Sequence, residues 1–139
     1  MPQADPIIPP DSFCYTESSL FGGLREIRSN ADLLTCTACQ GSEGQAWSAI
    51  RLPERAWRRL WELFEELEVW TWSGRYENPE ILDGVSWALD VTWGPRKVEA
   101  SGYHAWPGRG RDFERMLILL RRLAKGEPAG WVAGRASLV

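Results

Sequence analysis

Lysine is nearly missing from this chain: two of its sixteen basic residues are lysine and the other fourteen are arginine. Histidine occurs once, at His104, so any Ser-His-Asp or Cys-His chemistry has to run through that one residue. Cysteine occurs three times, at Cys14, Cys36 and Cys39, an odd number and too few for a disulfide framework; reduced thiols are the default. Long apolar runs are absent. The longest, Met116–Leu120, is flanked by arginines and falls far short of the roughly 18 residues a membrane helix needs. The opening MPQADPIIPPDS has neither the basic start nor the apolar stretch of a secretory signal, which predicts a mature, soluble, cytoplasmic protein. With a net charge of −3 and a pI near 5.2, the chain has no global positive field, so neither nucleic acid nor an anionic membrane is an expected partner. There is no P-loop, no G-x-S-x-G and no H-E-x-x-H. Gly108-Arg109-Gly110 lacks the strand that a dinucleotide fingerprint follows, and no cofactor is expected.

What is there is ordinary in bulk and unusual in one respect. A chain of 139 residues, 44% hydrophobic and 25% charged, has the composition of one globular domain with its own core. Nine of its residues are tryptophan. Guanidinium stacks on aromatic faces better than ammonium does, so an Arg-rich, Trp-rich chain has many possible cation–π pairs.

The Pro-rich stretch 1–11 reads as a flexible arm, 12–125 as the folded domain and 126–139 as a flexible tail without periodicity. Ser12–Ser18, Leu24–Ser29, Leu33–Cys39 and Ala46–Arg51 are short runs rich in Thr, Ile, Leu, Cys and aromatics, separated by turn residues; they predict an antiparallel meander. Pro53 suits the first position of a helix, and Trp57, Leu60, Trp61, Phe64 and Leu67 follow on one helical face. Val69–Trp72 reads as a short strand and Ser73–Gly84 as a long connection, the kind that is often functional. Val85, Trp87, Leu89, Val91 and Trp93 alternate with polar or small residues without a break, the clearest period-2 pattern in the chain. Gly94-Pro95 turns into a return strand at Lys97–Gly102, and Arg111–Ala124 is a second amphipathic helix carrying Phe113, Met116, Leu117, Leu120 and Leu123. The predicted fold class is α+β: an antiparallel sheet with both amphipathic helices packed on one face.

The second helix has acids at its start and bases at its end, as the macrodipole favours. The first has arginines 55, 58 and 59 early and glutamates 62, 65, 66 and 68 late, the reverse. Either side-chain pairs compensate, the reading preferred here, or the bipolar face serves a partner. Cys36-Thr37-Ala38-Cys39 has CxxC spacing, and with Cys14 and His104 a four-ligand zinc site can be drawn. Residues three apart on a strand point to opposite faces, however, which favours a packing role. Glu77, Glu80, Asp83 and Asp90 supply carboxylates for glycoside hydrolysis, whose required separation sequence does not give. Asp83-Gly84 is more simply a turn, and His104 a hydrogen-bonding corner residue.

Trp57, Trp61, Trp87 and Trp93 lie on apolar stripes and belong to the core. Trp70 and Trp72 share a face of the expected short strand, with Tyr76 just beyond; they either extend the core or form an open aromatic surface. Trp106, before Pro107, and Trp131 are the tryptophans expected to reach solvent. The candidate binding surface is Trp70, Trp72, Arg75, Tyr76 and Asp83 with the corner Tyr103, His104 and Trp106, because the 73–84 loop and the corner meet at one end of the sheet. No catalytic or metal-ligating residue is assigned.

Trp70-x-Trp72-x-x-x-Tyr76, Asp83-Gly84-x-x-Trp87 and Gly102-x-x-Ala105-Trp106-Pro107, followed by an amphipathic helix, resemble the W-x-W-x-x-x-Y, D-G-x-x-W and G-x-N-A-Y-P succession of a group of uncharacterised small bacterial proteins. The resemblance covers about 57–123, with His104 in place of Asn and Trp106 in place of Tyr. It implies a common fold and carries no activity. Phe21-Gly22-Gly23-Leu24 is similar to the opening of emfourin-type metalloprotease inhibitors, a likeness resting on four residues.

Two functions compete. The favoured one is a non-enzymatic protein-binding module, inhibitor-like or adaptor-like, acting on a protein partner through an aromatic and arginine surface. The alternative is a small hydrolase or carbohydrate-active protein using the loop carboxylates.

Overall fold

A computed structural model of the chain describes residues 8–19, 23–39 and 45–124; of residues 39 and 45–47 only the backbone is described. Residues 1–7 and 125–139, and with them the N-terminal arm's start, the expected tail and Trp131, lie outside the described residues, as do Phe21 and Gly22.

The elements follow in the order β1 (Ser12–Ser19), β2 (Gly23–Asn30), β3 (Leu33–Cys39), β4 (Gln45–Arg51), α1 (Glu54–Glu66), a 3-10 turn (Val69–Thr71), β5 (Gly74–Glu77), β6 (Ser86–Trp93), β7 (Arg96–Tyr103) and α2 (Asp112–Leu123). They build one seven-stranded sheet, ordered β4-β3-β2-β1-β6-β7-β5, and two helices: an α+β fold. The sheet is mixed, since β5 runs parallel to β7 while the other pairings are antiparallel.

The period-2 reading holds along β6, where Trp87, Leu89, Val91 and Trp93 are buried with Ser86 and Asp90 out, while Val85 lies just before the strand and is half-buried. Phe13 and Tyr15 of β1 lie on the same face. Both helices cover it. Phe64 of α1 stacks near Phe13 (6.2 Å) and Trp57 meets Trp93 edge-on (6.3 Å), while Phe113 of α2 contacts Tyr15 (6.2 Å) and Trp87 (4.8 Å).

The unfavourable charge order of α1 is compensated by contacts. Glu54 pairs with Arg58 at 3.0 Å, Glu65 with Arg96 of β7 at 3.4 Å, and Glu66 with Arg115 of α2 at 2.5 Å. The late glutamates therefore tie α1 to its neighbours.

Two local expectations are corrected. Val69–Trp72 is not a strand. Glu68 takes a left-handed conformation (φ 55°), which ends the helical path, and Thr71 closes a 3-10 turn by donating both its N–H and its hydroxyl to the Glu68 carbonyl (2.9 and 2.7 Å). β-branched and aromatic residues suit a strand, but here the tertiary fit overrides that propensity. Ser73–Gly84 is not wholly a connection either, because Gly74–Glu77 is an edge strand pairing with Ala100–Tyr103 of β7. The domain also reaches further back than Ser12. Ile8 packs on the core, Pro10 is buried, and the Asp11 carboxylate accepts a hydrogen bond from the Gly94 N–H at 2.7 Å.

Candidate functional site

The end of β1, the start of β2, the start of β6 and the end of β7 lie at one end of the sheet, and the corner after β7 closes it. Its hydrogen bonds explain why it holds one shape. The Tyr103 hydroxyl donates to the Leu82 carbonyl (2.7 Å) and accepts from the Gly84 N–H (3.0 Å). His104, at φ 47°, donates its N–H to the Val85 carbonyl (2.7 Å) and accepts the Val85 N–H on Nδ1 (3.4 Å). Its imidazole is thus a structural acceptor in the corner. The Trp87 indole donates to the Ala105 carbonyl at 2.8 Å, close against Gly102.

The eight residues singled out by sequence divide between interior and surface. Trp72 is 3% exposed and packs on Phe113 (5.9 Å). Trp70 is half-buried between Trp61 (5.7 Å) and Phe64 (5.5 Å), so the two indoles do not share a face. Tyr76 stacks on Trp87 (6.2 Å) and donates its hydroxyl to the Trp72 carbonyl (2.8 Å). Arg75 is exposed on β5, paired with Glu77 and reaching Ser101, and Asp83 is exposed in the loop beside Leu82. Trp106 is 43% exposed and lies 5.0 Å from His104 and 6.5 Å from Phe113. The structure thus brings Tyr103, His104 and Trp106 together with the loop backbone, links Tyr76 and Trp72 through the aromatic core, and leaves Arg75 and Trp70 elsewhere.

Beside Trp106 opens a groove of about 370 Å³ between β1, α2 and the corner. Tyr15, Val85, Phe113 and Leu117 form its apolar lining, and Glu17, Arg111, Glu114 and Arg121 supply charge. Glu114, Leu117 and Arg121 share one face of α2 by helical spacing. Glu17 stands directly across from Arg25 in the β1–β2 register, both in phase with core residues, and their side chains pair at 3.6 Å. The Tyr15 hydroxyl donates to the same carboxylate at 3.2 Å. Burial pushes the Tyr15 phenol well above its usual range, and the neighbouring Glu17 charge adds to that. Burial also lowers Arg25, a shift that Glu17 opposes and the nearby Arg121 cation reinforces.

Glu17, Arg25 and Arg121 were not among the sequence candidates. A signal existed for two of them: opposite charges in phase with apolar residues on neighbouring strands.

Cys36 is buried on the core side, whereas Cys14 lies on the other face, 3.8 Å from both Glu26 and Arg28, and His104 is at the far corner. The Cys39 side chain lies outside the described residues. Among the described residues no three of His, Cys, Asp and Glu come together in a way that holds a metal ion. Asp90 projects from the face opposite the helices, across from Glu99, while Glu77 is engaged by Arg75. No helix among the described residues is long and apolar enough to cross a membrane.

The chain matches no protein family, no curated protein and no solved structure.

Proposed function

We propose that this chain is a non-enzymatic protein-binding module, inhibitor-like or adaptor-like, whose docking surface is the groove bordered by Trp106, Phe113, Leu117, Arg111 and Arg121. The observation that carries the reading is Trp106. A large indole, 43% exposed on the wall of a groove that two arginines also line, has the residue chemistry of an interaction hot spot. Leu82 is 90% exposed in the loop that Tyr103 anchors at the same end of the sheet, a second exposed apolar side chain there. The partner is a protein; nucleic acid and membrane do not suit a chain of net charge −3. A cytoplasmic setting in a bacterial cell goes with the reading, supported by three cysteines too few for a disulfide framework and by the motif resemblance. The faint emfourin likeness points toward the inhibitor-like form.

The test is affinity capture from host extract at low and moderate salt with the parent chain and a Trp106→Ser variant whose melting curve matches the parent. A stoichiometric protein retained by the parent and lost by the variant is expected. Equal capture by both chains overturns the assignment of the groove.

A further inference from the structure

The charges around the groove do not cancel. Arg111 and Glu114 close on each other through bonds of 2.6 and 2.8 Å and contribute no net charge. Glu17 is the one remaining acid of the lining; it pairs with Arg25, and Arg121 lines the same groove. Arg25 is 7% exposed and, among the described residues, its guanidinium makes no hydrogen bond; its ion partner Glu17 stands at 3.6 Å, beyond good hydrogen-bond length. Arg121 lines the same groove as Glu17 and Tyr15 and has no ion pair among the described residues, and its charge is felt at Arg25, Tyr15 and Glu114. Two guanidinium charges, Arg25 and Arg121, against the one Glu17 carboxylate leave an excess of one positive charge.

Resting on the protein-binding reading, we infer that the groove recognises an acidic side chain of the partner, an Asp or Glu whose carboxylate meets Arg121 next to the Glu17–Arg25 pair while a neighbouring apolar residue lies on Trp106. Charge complementarity selects the carboxylate. One negative charge balances the excess, and a planar carboxylate suits the guanidinium fork. A dianion would exceed that single positive charge and meet the Glu17 carboxylate in the same space. Phe113, Leu117, Val85 and the Trp106 indole leave the rest of the groove apolar, so a bare small anion uses only part of it.

The test uses the blocked peptides acetyl-Leu-Asp-Leu-amide, acetyl-Leu-Asn-Leu-amide and acetyl-Leu-phosphoSer-Leu-amide on the full chain, read by the NMR shift of the Trp106 indole N–H. The Asp peptide is expected to bind saturably and to weaken several-fold between low and moderate salt. The Asn peptide should bind at least tenfold more weakly, and Arg121→Gln should cost the Asp peptide about tenfold. Absence of Asp-peptide binding, equal binding of the Asn peptide, tighter binding of the phosphopeptide, or indifference to Arg121→Gln each overturns the inference. The two proposals fail separately: a captured protein lost by Trp106→Ser but kept by Arg121→Gln leaves the binding module standing and removes the carboxylate.

Discussion

Adding one methyl group at Gly102 tests how the corner is held. An ideal Cβ there falls 2.5 Å from Trp87 Nε1, 2.6 Å from the Ala105 carbonyl oxygen and 2.8 Å from Trp87 Cε2. The first two are the ends of the Trp87–Ala105 hydrogen bond, and β7 is held between β6 and β5, so the strand has little room to withdraw. The backbone of Gly102 does not require glycine; in open space the change to alanine would stabilise by about 0.4–1 kcal/mol through the unfolded chain. Against that, overpacking costs about 1–3 kcal/mol. Loss of a buried hydrogen bond that leaves its carbonyl unsatisfied costs about 1–3 kcal/mol more. Gly102→Ala should therefore destabilise by about 2–5 kcal/mol, lowering Tm by on the order of 10–20 °C for a chain of this size. Thermal and urea melts followed by circular dichroism measure it. Trp87→Phe removes the pyrrole ring that the new methyl meets, so a double-mutant cycle should show the pair costing about 1–3 kcal/mol less than the separate costs combined. A Gly102→Ala chain as stable as the parent, or costs that add within about 0.5 kcal/mol, would refute the close-approach argument.

Tyr15 predicts an alkaline limit to stability. With its folded pKa raised by burial and by Glu17, its contribution is fully present below the unfolded value of about 10 and is lost as pH rises from there toward the folded value. Melting curves between about pH 8 and pH 11 should fall more steeply for the parent than for Tyr15→Phe; equal slopes would show that another group governs the limit. Chelator and reductant together should leave the far-ultraviolet circular dichroism unchanged, and loss of helix signal on chelation would revive a zinc site at Cys14, Cys36, Cys39 and His104.

The parts of the fold legible in the sequence were those with an uninterrupted period. Trp87 to Trp93 alternate over four buried positions, and Trp57, Leu60 and Phe64 recur at helical spacing; both patterns survive because one face of each element is simply apolar. Val69–Trp72 was illegible because the left-handed Glu68 and the Thr71 side chain, not hydrophobic order, decide its shape. β5 escaped because Gly74–Glu77 has two charged residues in four, and an edge strand needs only one covered face and one paired side. At the candidate site, Trp106 was readable from its place before proline. The cations of the groove were not, since Arg121 comes to line one groove with Glu17 only after α2 is laid across β1. Trp72 shows the converse: an aromatic picked out by its motif turns out to be held inside by Phe113.

The pairing of β1 with β6 reaches from Ser12 to Thr92 in one register, and the parallel edge strand β5 waits for β7, with Gly74 opposite Ala100. During synthesis the four-stranded meander and α1 therefore emerge before the strand that divides the sheet, and Trp57, Trp61 and Phe64 have no Trp93 to meet until it arrives. Such long-range closure slows folding and leaves an aromatic helix face uncovered in the nascent chain. The order of the strands delays closure: a ribosome must deliver the chain as far as Trp93 before the first strand has both of its neighbours.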